Sequence, residues 1–131
     1  MAQLQVVIVT PEETTFDQTA VSVVLPLFDG EAGILPGHAP MIGRLGPGEV
    51  RVRSDSGESR FYVDGGFAQI EQNVVSVLTG KSIPAAEIDI NVAREALARA
   101  ENDPGDQPEL MEQRRKSIAQ AKAQIRMVER A

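Results

Sequence analysis

The run Val74-Val75-Ser76-Val77-Leu78-Thr79-Gly80-Lys81-Ser82-Ile83-Pro84-Ala85-Ala86-Glu87-Ile88-Asp89-Ile90-Asn91-Val92-Ala93 divides the chain at Pro84. Before the proline, β-branched residues follow one another as in a strand. After it the apolar spacing lengthens from two to about 3.6 residues, with Ile90, Ala93, Leu97 and Ala100 on one helical face. Two regions follow, 1–84 rich in strands and 85–131 helical.

Upstream of the divide, short β-branched runs recur between turn signals at 4–10, 20–27, 48–53, 58–63, 67–71 and 73–78. That density predicts a sandwich or flattened barrel. Glu49-Val50-Arg51-Val52-Arg53 alternates strictly, which predicts one wet face, whereas Val74 to Leu78 carries apolar residues on both faces. Residues 29–40 hold three Gly and two Pro around Ile34-Leu35 and predict a constrained loop with an apolar tip. Asp64-Gly65-Gly66-Phe67 predicts a tight turn or bulge followed by a Phe anchored in the core.

Downstream, the first helix is expected over 87–101, ended by Asn102-Asp103-Pro104-Gly105. Asp106 suits the N-cap of a second helix over 107–129, with Pro108 in its first turn and Glu109 at the capping-box position. Met111, Ile118 and Ile125 fall seven apart on it, Ala121 and Val128 lie between them, and Arg114 interrupts the seam. The product is an antiparallel two-helix hairpin whose alanine-rich seam buries little area, so the hairpin is expected to be able to move.

Composition narrows function. The 131 residues are 42% hydrophobic, enough for a real core, but only 4% aromatic with no Trp. A net charge of -6 disfavours nucleic acid and direct binding to anionic lipid. The lack of Cys excludes disulfides and thiolate chemistry, and one His makes a zinc site unexpected. Strand-like residues follow Met1 almost at once without a basic leader, and no apolar run approaches the ~20 residues of a membrane span. There is no phosphate-cradling Gly-rich loop, no Ser/His/Asp arrangement and no clustered metal ligands, so neither catalysis nor a cofactor or metal is expected.

Three blocks carry a family resemblance: Phe16-x3-Ala20-x2-Val23-x2-Pro26, Gly30-Glu31-x-Gly33-Ile34-Leu35-Pro36-Gly37-His38-Ala39-Pro40, and Val63-x-Gly65-Gly66-Phe67. In order and spacing, with the two-helix tail, the chain resembles the epsilon subunits of F-type rotary ATP synthases over essentially its full length. The resemblance implies a ten-stranded N-terminal β-sandwich and a C-terminal helical hairpin. It implies a central-stalk subunit coupling the gamma shaft to the c ring, with the hairpin restraining ATP hydrolysis by extending toward the alpha/beta catalytic head. It places Glu31, Ile34, Leu35, His38 and Ala39 at the gamma or c-ring contact. It also implies a peripheral position on the cytoplasmic face of the bacterial plasma membrane, reached through partners, with the plastid thylakoid as the alternative setting.

Two further features are weighed with it. From residue 112 to 130, Arg114, Arg115, Lys116, Lys122, Arg126 and Arg130 stand against Glu112 and Glu129, six cations to two anions. Alone this reads as a solvated helix face; the resemblance implies that Arg114, Arg115, Lys116, Lys122 and Arg126 meet acidic residues of beta. Some bacterial members grip ATP with an Ile/Leu-Asp-x-x-Arg-Ala pattern. Here Ile88-Asp89 is present, but Arg94 follows the Asp by five residues and points far round the helix. Asp89 and Arg94 are therefore weak ATP-site candidates, and Asp89 is expected to cap the first helix. A nucleotide-sensing module and an enzyme with a pocket in the sandwich are the rival readings.

Overall fold

The computed structural model describes residues 3–102 and 107–130. Two compact units divide the chain, Met1–Pro84 and Ala85–Ala131.

The first unit holds β1 (Leu4–Val9), β2 (Thr14–Ala20), β3 (Ser22–Leu27), β4 (Gly30–Ile34), β5 (Met41–Ser54), β6 (Gly57–Glu71), β7 (Val74–Leu78) and β8 (Ser82–Pro84). Their hydrogen-bonded order is β2-β1-β7-β6-β5-β3-β4, with β8 on β6. The pairs are antiparallel except β1 with β7. The sheet closes over an aliphatic core as a β-sandwich. Leu4, Val6 and Ile8 of β1, Val23 and Leu25 of β3, Val50 and Val52 of β5, and Val75 and Val77 of β7 all join it, each set two residues apart as the pleat requires. Phe16 seats edge-on against Phe61, with ring centroids 4.9 Å apart.

Eight strands are described where ten were expected, and the difference lies in β5 and β6. These run unbroken for 14 and 15 residues, joining stretches that the sequence divides at glycine. β6 pairs with β8 through Phe61–Val63 and with β7 through Phe67–Glu71, so it serves two partners in succession. Gly65 (φ 101°) and Gly66 (φ 115°) lie at that change of partner. A Cβ on Gly66 would stand 2.0 Å from the Leu78 carbonyl oxygen, so only glycine allows β7 this close. The glycines bend the strand without ending it. Phe67, expected in the core, is instead 55% exposed, because Gly66 turns the alternation and sends Ala68 and Ile70 inward.

The region 29–40 is also more ordered than expected. Gly30–Ile34 forms an edge strand paired antiparallel to β3, from Leu27↔Gly30 to Val23↔Ile34. Asp29 lies in the turn before it, and 35–40 remains a loop. The strictly alternating segment of β5 buries Val50 and Val52 as expected, yet its other face is not wholly wet, since Glu49 is also buried.

In the second unit a 3-10 turn over Ala85–Glu87 precedes α1 (Ile90–Glu101), and α2 spans Pro108–Glu129. Asp89 caps α1, accepting from the backbone N–H of Asn91 at 2.9 Å and of Val92 at 3.3 Å. Gln107 occupies the N-cap of α2 without a side-chain bond, with Pro108 at the first helical position. Asp106, expected as that cap, lies outside the described residues, as do Asp103, Pro104 and Gly105. Ala93 and Ala121 are buried and Leu97, Ile118, Ile125 and Val128 half-buried, while Met111 at the expected seam is exposed. Ala123 and Met127, four apart, form a second buried stripe outside that seam. Arg114 in α2 donates from Nε to the Ala100 carbonyl at 2.8 Å and from Nη2 to the Glu101 carbonyl at 2.9 Å, so the start of α2 meets the end of α1 and the pair is antiparallel.

Candidate docking surfaces

The loop after β4 is built on an anchor and a tip. Ile34, 1% exposed, is a core residue paired to Val23, so it cannot belong to an exposed tip; Leu35, 62% exposed, is the tip alone. The β-pleat explains the split, because successive residues leave the strand on opposite faces. The His38 N–H donates to the Leu35 carbonyl at 3.2 Å, closing a turn. His38 Nδ1 lies 2.7 Å from the Ala39 carbonyl, which fixes the proton on Nδ1 and leaves Nε2 for other contacts. His38 is half-buried and Ala39 exposed.

Glu31 is exposed and tied. Arg51 Nη1 lies 3.1 Å from Glu31 Oε2 and 3.0 Å from Glu49 Oε1, and Arg60 reaches Glu49 Oε2 at 2.6 Å. The chain Glu31–Arg51–Glu49–Arg60 thus crosses the sheet with alternating charge, which is how Glu49 is buried without being left unpaired. The hydrogen bond to Glu49 pushes the Arg51 guanidinium above its ordinary value; burial opposes this and Glu31 adds to it.

An exposed apolar face of the sandwich was not singled out from sequence. Cross-strand register aligns Arg44↔Phe67, Phe67↔Leu78 and Leu78↔Val9, and in the adjacent row Ile42↔Gln69, Gln69↔Ser76 and Ser76↔Val7. Directly opposed residues sit about 5 Å apart at Cβ, so these rows are continuous. Ile42 is 74% exposed, and Phe67, Leu78 and Val74 share its face. Phe28 extends the row: its N–H donates to the Arg44 carbonyl, and the Arg44 guanidinium sits 4.6 Å over its ring. A signal was present in Val74-Val75-Ser76-Val77-Leu78, apolar on both faces, whose inner pair Val75 and Val77 serves the core and whose outer pair serves this surface.

On α2, Arg115, Lys116, Lys122 and Arg126 are exposed, and Arg115 pairs with Glu112 at 3.3 Å. Arg114 is separated from them by its bonds to the end of α1. Arg94 is exposed, and the Asp89 carboxylate is engaged by the start of α1. Among the described residues, no group of three or more His, Cys, Asp or Glu could hold a metal ion, and no helix is long and apolar enough to cross a membrane.

An exposed apolar sheet face, a loop with an apolar tip and a cationic helix flank are features of a protein that docks. Residues 3–85 match the family described as ATP synthase, Delta/Epsilon chain, beta-sandwich domain. The ATP synthase epsilon chain of Rhodopirellula baltica is 46% identical over 123 residues, covering 94% of this chain and 96% of the relative. That of Bordetella avium is 40% identical over 98% of this chain and 88% of its own. The chain belongs to the ATP synthase epsilon chain family. In fold it is similar to a chain of the Euglena gracilis mitochondrial ATP synthase, solved with OSCP, F1 and the c-ring: TM-score 0.85, 23% identity, 94% of this chain and 79% of that one. A chain of the Tetrahymena thermophila central stalk and c-ring structure aligns with TM-score 0.74 at 12% identity, over 95% and 96%.

Proposed function

We propose that this chain is a non-catalytic adaptor in the central stalk of an F-type ATP synthase. Its sandwich clamps the gamma shaft to the c ring of the membrane-associated complex, on the cytoplasmic face of a bacterial plasma membrane. The observation that carries this reading is the exposed sheet face that bears Phe28, Ile42, Phe67 and Leu78. Exposed apolar side chains gathered on one sheet face fit a protein contact, and a shaft that must turn with the subunit needs one. The loop with Leu35, His38 and Ala39, together with the tethered Glu31, is assigned to the c ring; Ile34 supports it from the core. The flank of Arg115, Lys116, Lys122 and Arg126 is assigned to acidic residues of beta, contacts that restrain ATP hydrolysis when the hairpin extends. Arg114 joins them only after leaving the end of α1. Each exposed pair is worth only ~0–1 kcal/mol, so the flank acts collectively.

Titration calorimetry against gamma tests the central claim. Tight 1:1 binding is expected for the intact chain, with Phe67→Ser weakening it about tenfold or more, since truncated aromatic anchors dominate interface energies. Leu35→Ser is expected to bind gamma normally. Binding of Phe67→Ser as tight as that of the unaltered chain would remove the exposed apolar face from the shaft interface.

A further inference from the structure

The loop 35–40 pairs with no strand, yet one side chain from another part of the sandwich reaches it. The Gly37 N–H donates to Asn73 Oδ1 at 2.7 Å, across 36 positions of sequence. Gly37 itself has φ 87°, a conformation that glycine adopts without cost, so the tie falls at a left-handed residue of the loop.

Asn73 is well placed to hold anything still. With Gln72 (φ 49°) it forms the two-residue turn between β6 and β7, where Glu71 pairs with Val74. Left-handed backbone at both positions is the primed hairpin turn, in which Asn is favoured. Its carbonyl accepts from the Gln5 N–H at 2.8 Å, binding the turn to β1 as well. The backbone of Asn73 is therefore fixed by two strands, and its side chain passes that fixity to the loop.

We propose that Asn73 is a positioning residue: it holds the 35–40 loop through Gly37 so that Leu35 and His38 meet the c ring in a set geometry. This rests on the assignment of that loop to the ring. A docking group on a loop is effective when its conformation is set beforehand, since ordering it on contact costs affinity.

The choice of variants separates the tie from the turn. Asn73→Gly deletes the acceptor but suits a left-handed turn position, so the hairpin and the melting midpoint are expected to persist. Asn73→Asp keeps an oxygen acceptor and tolerates the same backbone. In the isolated full-length chain, the Gly37 amide is expected to exchange about fivefold faster in Asn73→Gly, the worth of one ordinary hydrogen bond, and at the original rate in Asn73→Asp. Attachment to a reconstituted gamma and c-ring assembly should weaken several-fold in Asn73→Gly and recover in Asn73→Asp, while binding to gamma alone is unchanged. An unchanged Gly37 exchange rate, or faster exchange with undiminished ring attachment, overturns the role of Asn73. Leu35→Asp judges the underlying assignment separately: if that variant attaches normally to the ring, the loop does not dock there, and if it alone attaches poorly, only the positioning role is lost.

Discussion

The sandwich and the helix pair are held together in different ways. In the sandwich, buried Val, Ile and Leu from six strands form one continuous cluster, and even the buried Glu49 is paired with two arginines. In the helical unit the buried described side chains are Ala93, Ala121, Ala123 and Met127, three of them single methyl groups. At about 25 cal/mol per Å² of apolar surface, an alanine contributes a small part of what a buried Ile or Leu does. Half-buried Leu97, Ile118, Ile125 and Val128 add to this seam, and the ends are fastened by the Asp89 cap and the Arg114 contact with the last turn of α1. Interlocked strands suit a part that transmits force without yielding; an end-fastened helix pair suits a part that changes partner. Amide exchange should therefore be slowest in β1, β6 and β7 and markedly faster in α1 and α2.

The sharpest way to break the contrast is Gly66→Ala. A methyl group there meets the Leu78 carbonyl at 2.0 Å, on a backbone of φ 115°. Conformational strain alone costs about 1–3 kcal/mol, and displacing the β7 backbone adds to it, so a loss of roughly 3 kcal/mol or more is expected in urea unfolding. Gly33→Ala is the control, because a Cβ there meets nothing within 4 Å and the backbone φ is unexceptional. Equal losses in the two variants would show that the β6–β7 approach is not the rigid point of the sandwich.

Next in size is Arg114→Ala, which acts on the other side of the comparison. Two hydrogen bonds from a charged donor to carbonyls at a helix C-terminus are worth roughly 1–2 kcal/mol once partial exposure is allowed for. The loss should appear as faster exchange of α1 and α2 amides, with β-strand amides unchanged. Arg114→Lys should recover part of it, since a lysine keeps the charge but not the fork that reaches both carbonyls. If strand amides also accelerate, the two units do not respond independently.

The same contrast explains what was legible in sequence. Strand and helix periods change at Pro84, and the compact units divide there. Asp89 is readable as a cap because the carboxylate precedes the first helical turn and acts locally. The exposure of Phe67, the burial of Ile34 and the unbroken course of β6 were not readable, for each depends on which strand lies alongside. Gly65-Gly66 is consistent with either a turn or a bend until β7 and β8 supply the two partners. Arg114 reads as an interruption of an apolar seam, and only the antiparallel return of α2 shows that it closes the end of α1. The exposed apolar face escaped because its members come from four segments and share a face only through register.

The smallest expected effect distinguishes charge that holds from charge that is merely present. Glu112 and Arg115 form a pair one helical turn apart on α2, each about three-quarters exposed, in contrast to the Glu49 side chain at 5%. Water screens such a pair, and holding two long side chains in register costs entropy, so Glu112→Gln should change stability by less than about 0.5 kcal/mol. The effect should vanish in high salt. The sandwich pairs should outlast a rise in pH: the folded pKa of Arg51 is raised, so its contribution is complete below the unfolded value and is lost only as pH climbs through the folded one, well into the alkaline range. Because Glu112→Gln removes a negative charge from the flank assigned to beta, it should strengthen inhibition of ATP hydrolysis in the assembled enzyme while barely altering the hairpin. Unchanged inhibition in that variant would mean that the flank does not act through its net charge, and the contact with beta would have to depend on the geometry of particular cations.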